Sequence, residues 1–285
     1  MLSYNKYMIA EKMTQYPELD GVLHGHAERL RDALGDSLIG MYLLGSLAIG
    51  DFDGTSDIDF VVVTADEMSE SQVEQVQSVH DQTYGQDTRW VKHLEYSFFP
   101  LNILRHPSSP FSNDGRVQDK DRDLWYFEHG SPRIERSDHD NSLVTRWTLR
   151  EKGVTVVGPE PFSLLGPVSP NALRAEIQDS LVGWGDELLE DAEPYRNRFF
   201  QVFIVLHYCR MLQDLNEGRI TSKREGAEWA KSNLDPKWTS LIEYCWNDRQ
   251  DSEIHISQPA VPGIFSEVLS FVEYVVALGK DFVIA

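Results

Sequence analysis

The sequence predicts an α/β domain with a mixed sheet, followed by an all-α helical bundle. In the first half, strand-length apolar runs alternate with amphipathic helical patterns, whereas from Ser169-Pro170 onward the pattern is helical. The composition changes at Gly158-Pro-Glu-Pro161 and again at Gly166-Pro167, as expected of a domain boundary. We therefore expect one domain over residues 1–160 and a second over residues 161–285.

The elements of the first domain follow from hydrophobic periodicity. Apolar residues at helical spacing predict three helices, over residues 19–34, 67–83 and 141–152. Apolar or alternating runs predict four strands, over residues 38–44, 57–64, 90–99 and 153–157. Residues 105–122 are rich in Pro, Ser, Asp and Asn, and this composition predicts a long loop.

The second domain is predicted to contain five helices, over residues 172–189, 198–216, 222–233, 237–247 and 265–276. Ser169 is an N-cap candidate, with Pro170 at the first helical position. The helix over residues 198–216 is apolar nearly all round, so we expect it at the centre of the bundle.

The bulk composition is typical of a soluble globular protein, with 41% hydrophobic and 25% charged residues in a chain of 285. The sequence has no run of eighteen apolar residues and its N-terminus lacks the apolar core of a signal peptide. We therefore expect a cytoplasmic protein that has no membrane partner. Cys209 and Cys245 are too few for a disulfide framework or a zinc site, and both are expected to be buried thiols.

The net charge of −20 arises from 46 acidic and 26 basic residues. Such a field repels nucleic acid, whose binding requires Lys and Arg to neutralise phosphates, so no nucleic-acid partner is expected. It would attract a small cationic molecule. Solubility is an equally simple explanation of the charge.

The most informative motif is Gly45-Ser46 at the end of an apolar run, followed by Asp57-Ile58-Asp59 at the start of another. Residues i and i+2 of a strand share a face, so the carboxylates of Asp57 and Asp59 are expected to converge. Two like charges at that separation favour a cation between them, and oxygen ligands suit Mg²⁺. The glycine permits close backbone approach to a ligand and the serine offers an N–H and a hydroxyl to a phosphate. The pattern indicates metal-assisted transfer of a nucleotidyl group.

Glu95 lies in the middle of the predicted strand over residues 90–99, between apolar residues. A buried carboxylate there needs a partner. We interpret Glu95 as a third metal ligand, or as a general base that takes a proton from an attacking hydroxyl. A solvated strand surface is the alternative.

Two cations in the second domain are candidates for phosphate binding. Arg210 lies on the most apolar helix and therefore needs an anionic partner, either an internal carboxylate or a triphosphate. Lys223 follows Ser222 in a sequence that matches a capping box, at a helix N-terminus that would attract phosphate. An exposed lysine is the alternative for Lys223.

Acidic and aromatic residues near the end of the first helix of the second domain are candidates for binding a cationic substrate. The acids are Asp186, Glu187, Glu190, Asp191 and Glu193, and the aromatics are Trp184 and Tyr195. A solvated helix end is the commoner meaning of such a run. His129 is a further candidate substrate residue, and a packing role is its alternative.

Taken together, these residues resemble the aminoglycoside nucleotidyltransferases, and in particular the streptomycin/spectinomycin 3″-adenylyltransferase group of the polymerase-β-like superfamily. The resemblance is carried by seven segments, Leu43-Leu-Gly-Ser46, Ser56-Asp-Ile-Asp59, His93-Leu-Glu-Tyr96, Thr148-Leu-Arg-Glu-Lys-Gly153, Val157-Gly-Pro159, Tyr208-Cys-Arg-Met-Leu212 and Gly218–Ala230. The first two are shared by the whole superfamily, while the last two are more specific to this group.

The resemblance implies a nucleotidyltransferase catalytic domain and a helical domain that clamps nucleotide and substrate. It implies transfer of AMP from ATP to a hydroxyl of a small molecule of the aminoglycoside-antibiotic type, with release of pyrophosphate and with Mg²⁺ as cofactor. The implied metal and catalytic residues are Asp57, Asp59 and Glu95, and the implied nucleotide-binding residues are Gly45, Ser46, Ser56, Arg210 and Lys223. Antibiotic resistance, and a monomer or small homo-oligomer, are the corresponding expectations.

The chain departs from the drug-bound members of this group, which place an aspartate about ten residues before the arginine that matches Arg210. The corresponding stretch here, Phe199-Phe200-Gln201-Val202, contains no acid. Two alternatives therefore remain open at the level of sequence. One is a nucleotidyltransferase whose acceptor is a metabolite or a protein side chain, and the other is a non-catalytic nucleotide-binding partner protein.

Overall fold

A computed structural model describes residues 9–53, 56–106, 122–249 and 256–284. The chain divides into two compact units, which we call the catalytic unit and the helical unit. The catalytic unit ends at Val168 and the helical unit begins at Ser169, while Asp53 groups with the helical unit.

The catalytic unit contains a mixed sheet, as the sequence predicts, and this sheet has six strands, two more than the four that the sequence predicts. Its strands are β1 (Leu38–Leu43), β2 (Ile58–Thr64), β3 (Leu94–Pro100), β4 (Leu124–Phe127), β5 (Ile134–Ser137) and β6 (Val154–Val157). Their order across the sheet is β5-β4-β3-β2-β1-β6. Strands β2 and β3 are parallel and the other neighbours are antiparallel. A parallel pair requires a crossover connection, and the helix between β2 and β3 provides it.

Helices cover both faces of this sheet. They are α1 (Pro17–Leu34), the short α2 (Gly45–Ile49), α3 (Glu70–Tyr84), the short α4 (Leu101–Arg105) and α5 (Leu143–Lys152). One core cluster joins α1 and α3 to residues such as Phe60 and Tyr96, and a second, around Val61 and Phe99, includes Leu104 of α4 and Leu149 of α5. Strands β1, β2 and β3 are therefore buried on both sides, which explains their nearly continuous apolar sequences.

The catalytic unit differs from the sequence prediction at several places. The predicted strand over residues 90–99 begins only at Leu94, because residues 89–92 form a 3-10 turn that buries Trp90 and Val91. Strands β4 and β5 were not predicted, since both are four residues long and β5 is largely exposed, without a clear alternation. Helix α3 begins at Glu70 instead of residue 67. The Ser69 side chain caps this start by accepting a hydrogen bond from the Gln72 amide. The predicted loop over residues 105–122 falls mainly on 107–121, which lie outside the described residues.

The helical unit contains five α-helices in the part of the chain that the structure describes, in agreement with the predicted bundle. They are α6 (Pro170–Glu190), α7 (Arg198–Glu217), α8 (Lys223–Asn233), α9 (Thr239–Arg249) and α10 (Pro262–Asp281). Helix α7 packs against α6, α8, α9 and α10, so the most apolar helix is central, as predicted. Both cysteines are free and buried.

Local sequence explains the ends of the central helices. Asn197 caps α7 by accepting a hydrogen bond from the Phe200 amide, and Gly218 ends that helix in the left-handed conformation with φ +68°. Ser222 accepts a hydrogen bond from the Glu225 amide, which forms the serine half of the predicted capping box. Pro170 occupies the start of α6 as predicted, although the Ser169 side chain makes no capping hydrogen bond.

Two helices of this unit differ from the prediction. Helix α9 starts at Thr239 because residues 236–238 form a separate 3-10 turn, and α10 is longer at both ends than predicted. Among the described residues, α10 is the one helix whose length and composition would suffice to cross a membrane. Its Val272, Val275 and Val276 are fully or nearly fully buried, and the helix packs against α6 and α7, as a core helix does.

Candidate active site

The carboxylates Asp59 and Glu95 lie opposite one another in neighbouring strands. The parallel register of β2 and β3 pairs Ile58 with Leu94 and Asp59 with Glu95. Both acids are partly exposed, whereas Ile58 and Leu94 are buried. Because the side chains of a paired position lie on the same face, the register places these two acids on one face of the sheet.

Asp57 immediately precedes β2, and its neighbour Ile58 donates a 2.8 Å backbone hydrogen bond to the His93 carbonyl. The first residues of β2 and β3 are therefore tied together at the end of the sheet that carries the acids. The Asp57 carboxylate lies 3.2 Å from the Nδ1 atom of His129. The other ring nitrogen of His129 lies 3.1 Å from His93 Nδ1, and the two imidazole rings stack.

Gly45 and Asp59 are in close contact. The Leu44 amide donates a 2.8 Å hydrogen bond to the Asp59 carbonyl, after which the chain turns into α2 with Gly45 at φ +51°. A Cβ atom on Gly45 would overlap the Asp59 carboxylate. A glycine is therefore required here for its backbone conformation and for its lack of a side chain. Ser46 follows in the first turn of α2, and Ser56 is buried just before Asp57.

Glu95 is held by two neighbours on one of its oxygens. Tyr126 donates a 2.6 Å hydrogen bond to Oε1, and His139 Nε2 lies 3.3 Å from the same atom. Burial raises the pKa of Glu95, the Tyr126 hydrogen bond and His139 oppose the rise, and the charges of Asp140 and Asp57 add to it. A carboxylate with a raised pKa is better suited to accept a proton near neutral pH.

Asp140 is a fourth carboxylate of this site. It accepts a 2.6 Å hydrogen bond from the Ser97 hydroxyl, and burial raises its pKa. Asp140, Tyr126 and His139 are not among the site residues that the sequence predicts. Tyr126 belongs to the unpredicted strand β4, where its register partner is Ser97 of β3. Recognising the Leu124–Phe127 apolar run as a strand was the one signal that could have identified it.

The donor set of the catalytic unit fits Mg²⁺. Asp57, Asp59 and Glu95 supply oxygen donors of the kind that this ion prefers. The negative charges of Asp140 and Asp57 both raise the pKa of Glu95. The site therefore carries an excess of negative charge that a cation would relieve. A second group of possible ligands consists of Asp57, His93 and His129, whose ligand atoms lie within 4.8 Å of one another. This group does not include Asp59 or Glu95.

The helical unit contains a second cluster of functional candidates, around Arg210. Arg210 Nη2 lies 3.2 Å from His207 Nδ1, and the buried Nε has no hydrogen-bond partner among the described residues. Lys223 Nζ lies 4.6 Å from the centre of the Phe203 ring. Burial and the positive charges of Arg210 and Lys223 hold the pKa of His207 well below its usual value. The two predicted phosphate-binding cations thus both lower the pKa of one partly buried imidazole.

Asp214, one helical turn after Arg210, is an internal carboxylate near that arginine. It accepts hydrogen bonds from the Thr221 amide at 2.8 Å and the Thr221 hydroxyl at 2.6 Å. Burial raises the pKa of Asp214 to about 7, although Arg210 and Thr221 oppose the rise. Helix α8 lies so close to the arginine that a Cβ atom added to Gly226 would overlap the Arg210 backbone.

The predicted substrate residues lie in both units. His129 belongs to the catalytic unit, next to Asp57, whereas Trp184, Asp186 and Glu187 lie on α6 of the helical unit. Trp184 stacks on Tyr208 with ring centres 5.0 Å apart. Asp186 pairs with Lys280 at 2.9 Å, and Glu187 is exposed.

Comparison with known proteins identifies both parts of the chain. Residues 24–118 match the nucleotidyltransferase domain family, and residues 163–277 match the family described as aminoglycoside adenylyltransferase, C-terminal domain. The spectinomycin 9-adenylyltransferases of Staphylococcus aureus strains Mu50 and N315 are each 25% identical over 256 residues, which cover 86% of this chain and 89% of theirs.

A solved structure shares the fold. It is the spectinomycin adenyltransferase from Enterococcus faecialis, crystallised with ATP and spectinomycin. The match has a TM-score of 0.65 and 16% identity, and it covers 92% of this chain and 99% of that one. The two matched domains follow one another in the order of the two units, and the chain therefore combines a nucleotidyltransferase domain with an aminoglycoside adenylyltransferase C-terminal domain.

Proposed function

We propose that this protein transfers AMP from ATP to a hydroxyl group of a spectinomycin-type or other aminoglycoside antibiotic, with release of pyrophosphate. The observation that carries the proposal is the pairing of Asp59 with Glu95 across β2 and β3, with Gly45 packed directly against the Asp59 carboxylate. The similarity to spectinomycin adenylyltransferases over most of the chain supports the choice of acceptor.

In this proposal Asp57 and Asp59 hold Mg²⁺, which supplies positive charge to the nucleotide phosphates when it is bound. Gly45, Ser46 and Ser56 lie beside these acids and bind the phosphates through backbone and hydroxyl groups. In the helical unit, Arg210 and Lys223 bind phosphate oxygens. The buried Nε of Arg210, which lacks a hydrogen-bond partner among the described residues, is a donor that a phosphate would satisfy.

Glu95 acts as the general base. The acceptor hydroxyl gives its proton to Glu95 as its oxygen bonds to the α-phosphorus, and the bond from that phosphorus to pyrophosphate breaks. Tyr126 and His139 hold one oxygen of Glu95, which leaves Oε2 for the acceptor. Trp184, Asp186, Glu187 and His129 are proposed to contact the acceptor, whose amines would pair with the acids and the aromatic ring.

The proposal is tested by measuring pyrophosphate release from ATP with a panel of acceptors that includes spectinomycin, streptomycin, other aminoglycosides and a lincosamide. We expect release with spectinomycin or an aminoglycoside, loss of release in EDTA and recovery on adding Mg²⁺. Glu95→Gln should abolish transfer and leave ATP binding largely intact. Transfer that survives in Glu95→Gln would exclude Glu95 as the base.

Drug susceptibility of cells is the matching test in vivo. Cells that produce the wild-type chain should tolerate the acceptor drug, and cells that produce Asp57→Asn at an equal level should not. If the panel yields no acceptor while ATP still binds, the proposed class of acceptor is wrong and a metabolite or protein side chain is the one to test next.

A further inference from the structure

Three candidate ligands lie together at one end of the sheet of the catalytic unit. Asp57 stands just before β2, His93 just before β3, and His129 shortly after β4, which runs antiparallel to β3. The starts of two parallel strands and the end of their antiparallel neighbour meet at the same edge of a sheet. The topology therefore brings one carboxylate and two imidazoles together from three separate segments.

Backbone contacts hold each of these segments in position. The His93 carbonyl accepts the Ile58 amide at 2.8 Å, which fixes His93 relative to Asp57. After His129 the chain turns at Gly130, whose φ is +72°. The Gly130 carbonyl accepts a 3.0 Å hydrogen bond from the Tyr84 hydroxyl, so the turn is anchored to α3.

One ligand atom from each of the three side chains lies within 4.8 Å of the others, a separation close to that of donors around a small divalent ion. His129 contacts Asp57 through Nδ1 at 3.2 Å and His93 through Nε2 at 3.1 Å, and a single ion would bind only one of these two nitrogens. Bonds of about 2.1 Å in a tetrahedral site place neighbouring donors roughly 3.4 Å apart. The side chains would have to rotate to bring three donors that lie within 4.8 Å of one another to this separation around one ion.

The chemistry of these donors selects a different ion from the one that carboxylates bind. Imidazole nitrogen suits Zn²⁺ and other late first-row divalent ions, whereas Mg²⁺ prefers oxygen. We infer that Asp57, His93 and His129 form a binding site for a first-row transition-metal dication such as Zn²⁺, with Asp57 shared between this ion and the carboxylate set. His129 is half-exposed, so an ion can reach the site from solvent.

This site has a consequence for the proposed reaction, although its existence does not depend on that reaction. An ion held by the two histidines takes the Asp57 carboxylate away from the magnesium nucleotide. Zn²⁺ therefore inhibits AMP transfer at concentrations that fill the site. Mg²⁺ at high concentration opposes this inhibition only because it competes with Zn²⁺ for the Asp57 carboxylate.

The test is titration of the full chain with ZnCl₂ by isothermal calorimetry, in the absence of nucleotide and acceptor. Wild type is expected to bind one Zn²⁺, and His93→Gln and His129→Gln each to lose at least tenfold in affinity. His24→Gln is the matched control, because His24 is also a half-exposed histidine beside a carboxylate, that of Glu28. Both of these residues lie on α1, and neither is one of the three proposed ligands. Zn²⁺ binding that is unchanged in both active-site variants would overturn the inference.

Two further measurements keep the inference separate from the proposed function and from misfolding. Glu95→Gln should retain Zn²⁺ binding although it loses transfer, because Glu95 is not one of the three ligands. Titration of wild type with Co²⁺ should produce the visible absorption of a low-coordinate site with nitrogen ligands, and added Zn²⁺ should remove it. Absence of a saturable Co²⁺ spectrum and of Zn²⁺ binding to wild type would show that the histidines only form an imidazole–carboxylate contact.

Discussion

The Asp59 carboxylate occupies the space that a side chain at position 45 would fill, so Gly45 and Asp59 are complementary in shape. Gly45 also has φ +51°, a conformation that residues with a Cβ adopt at a cost. Gly45→Ala therefore combines a backbone penalty of about 1 kcal/mol with displacement of a proposed metal ligand. We expect a loss of at least tenfold in kcat for AMP transfer, measured by pyrophosphate release.

Gly35→Ala is the control for this change. Gly35 has φ +53°, close to that of Gly45, but a Cβ there meets nothing within 4 Å. Both variants should lose stability in urea unfolding, and only Gly45→Ala should lose activity. Equal activities in the two variants would show that contact with Asp59 is unimportant.

Tyr126→Phe should impair the proposed base without removing it. The Tyr126 hydroxyl donates to Glu95 and opposes the rise in its pKa, so deletion of the hydroxyl should raise that pKa further. We expect kcat to fall several-fold and the acid limb of the kcat/KM profile to move to higher pH, with little change in ATP affinity. Tyr274→Phe, in the helical unit, removes a hydroxyl that contacts the Asp235 amide and should leave the profile unchanged.

Gly226→Ala should separate α8 from α7 at the proposed phosphate-binding pair. The added Cβ overlaps the Arg210 backbone, and overpacking of this kind costs about 1–3 kcal/mol. We expect a lower midpoint in urea and weaker ATP binding by calorimetry. Gly183→Ala, on α6, meets nothing within 4 Å and should be neutral or slightly stabilising. Unchanged ATP affinity in Gly226→Ala would argue against this site.

Two buried histidines should make the catalytic unit sensitive to acid. Burial lowers the pKa of His26 to about 3 and that of His80 to about 4. Between these values and the ordinary pKa of 6.5, the unfolded chain binds protons that the folded chain does not, so stability decreases as pH falls. Each histidine should contribute a loss of about 2 kcal/mol between pH 7.5 and pH 5.

His80→Gln tests this pH dependence. Glutamine retains hydrogen-bonding groups for the Tyr96 hydroxyl and the Ser131 carbonyl, and it does not titrate. Urea unfolding at the two pH values should show a smaller difference in the free energy of unfolding for this variant than for wild type. His24→Gln, at a half-exposed position, should behave like wild type. An unaltered pH dependence in His80→Gln would contradict the assignment.

The pattern of residues was enough to predict the mixed-sheet catalytic unit, the central position of the helix that carries Arg210, and the burial of both cysteines. These features depend on local periodicity and on the length of apolar runs, which a single segment displays. The sequence also predicted that Asp57, Asp59 and Glu95 form one site, and the register of β2 and β3 is compatible with that prediction for the latter two.

Tertiary structure alone decided what surrounds those acids. Tyr126, His139 and Asp140 reach Glu95 or its neighbourhood from segments more than thirty residues away in sequence. His93 and His129 approach Asp57 in the same way. Apart from the short apolar run that contains Tyr126, no local pattern marks these residues, because their role follows from strand pairing between distant segments. The order and register of the strands, which depend on the packing of the whole unit, determine which polar groups meet.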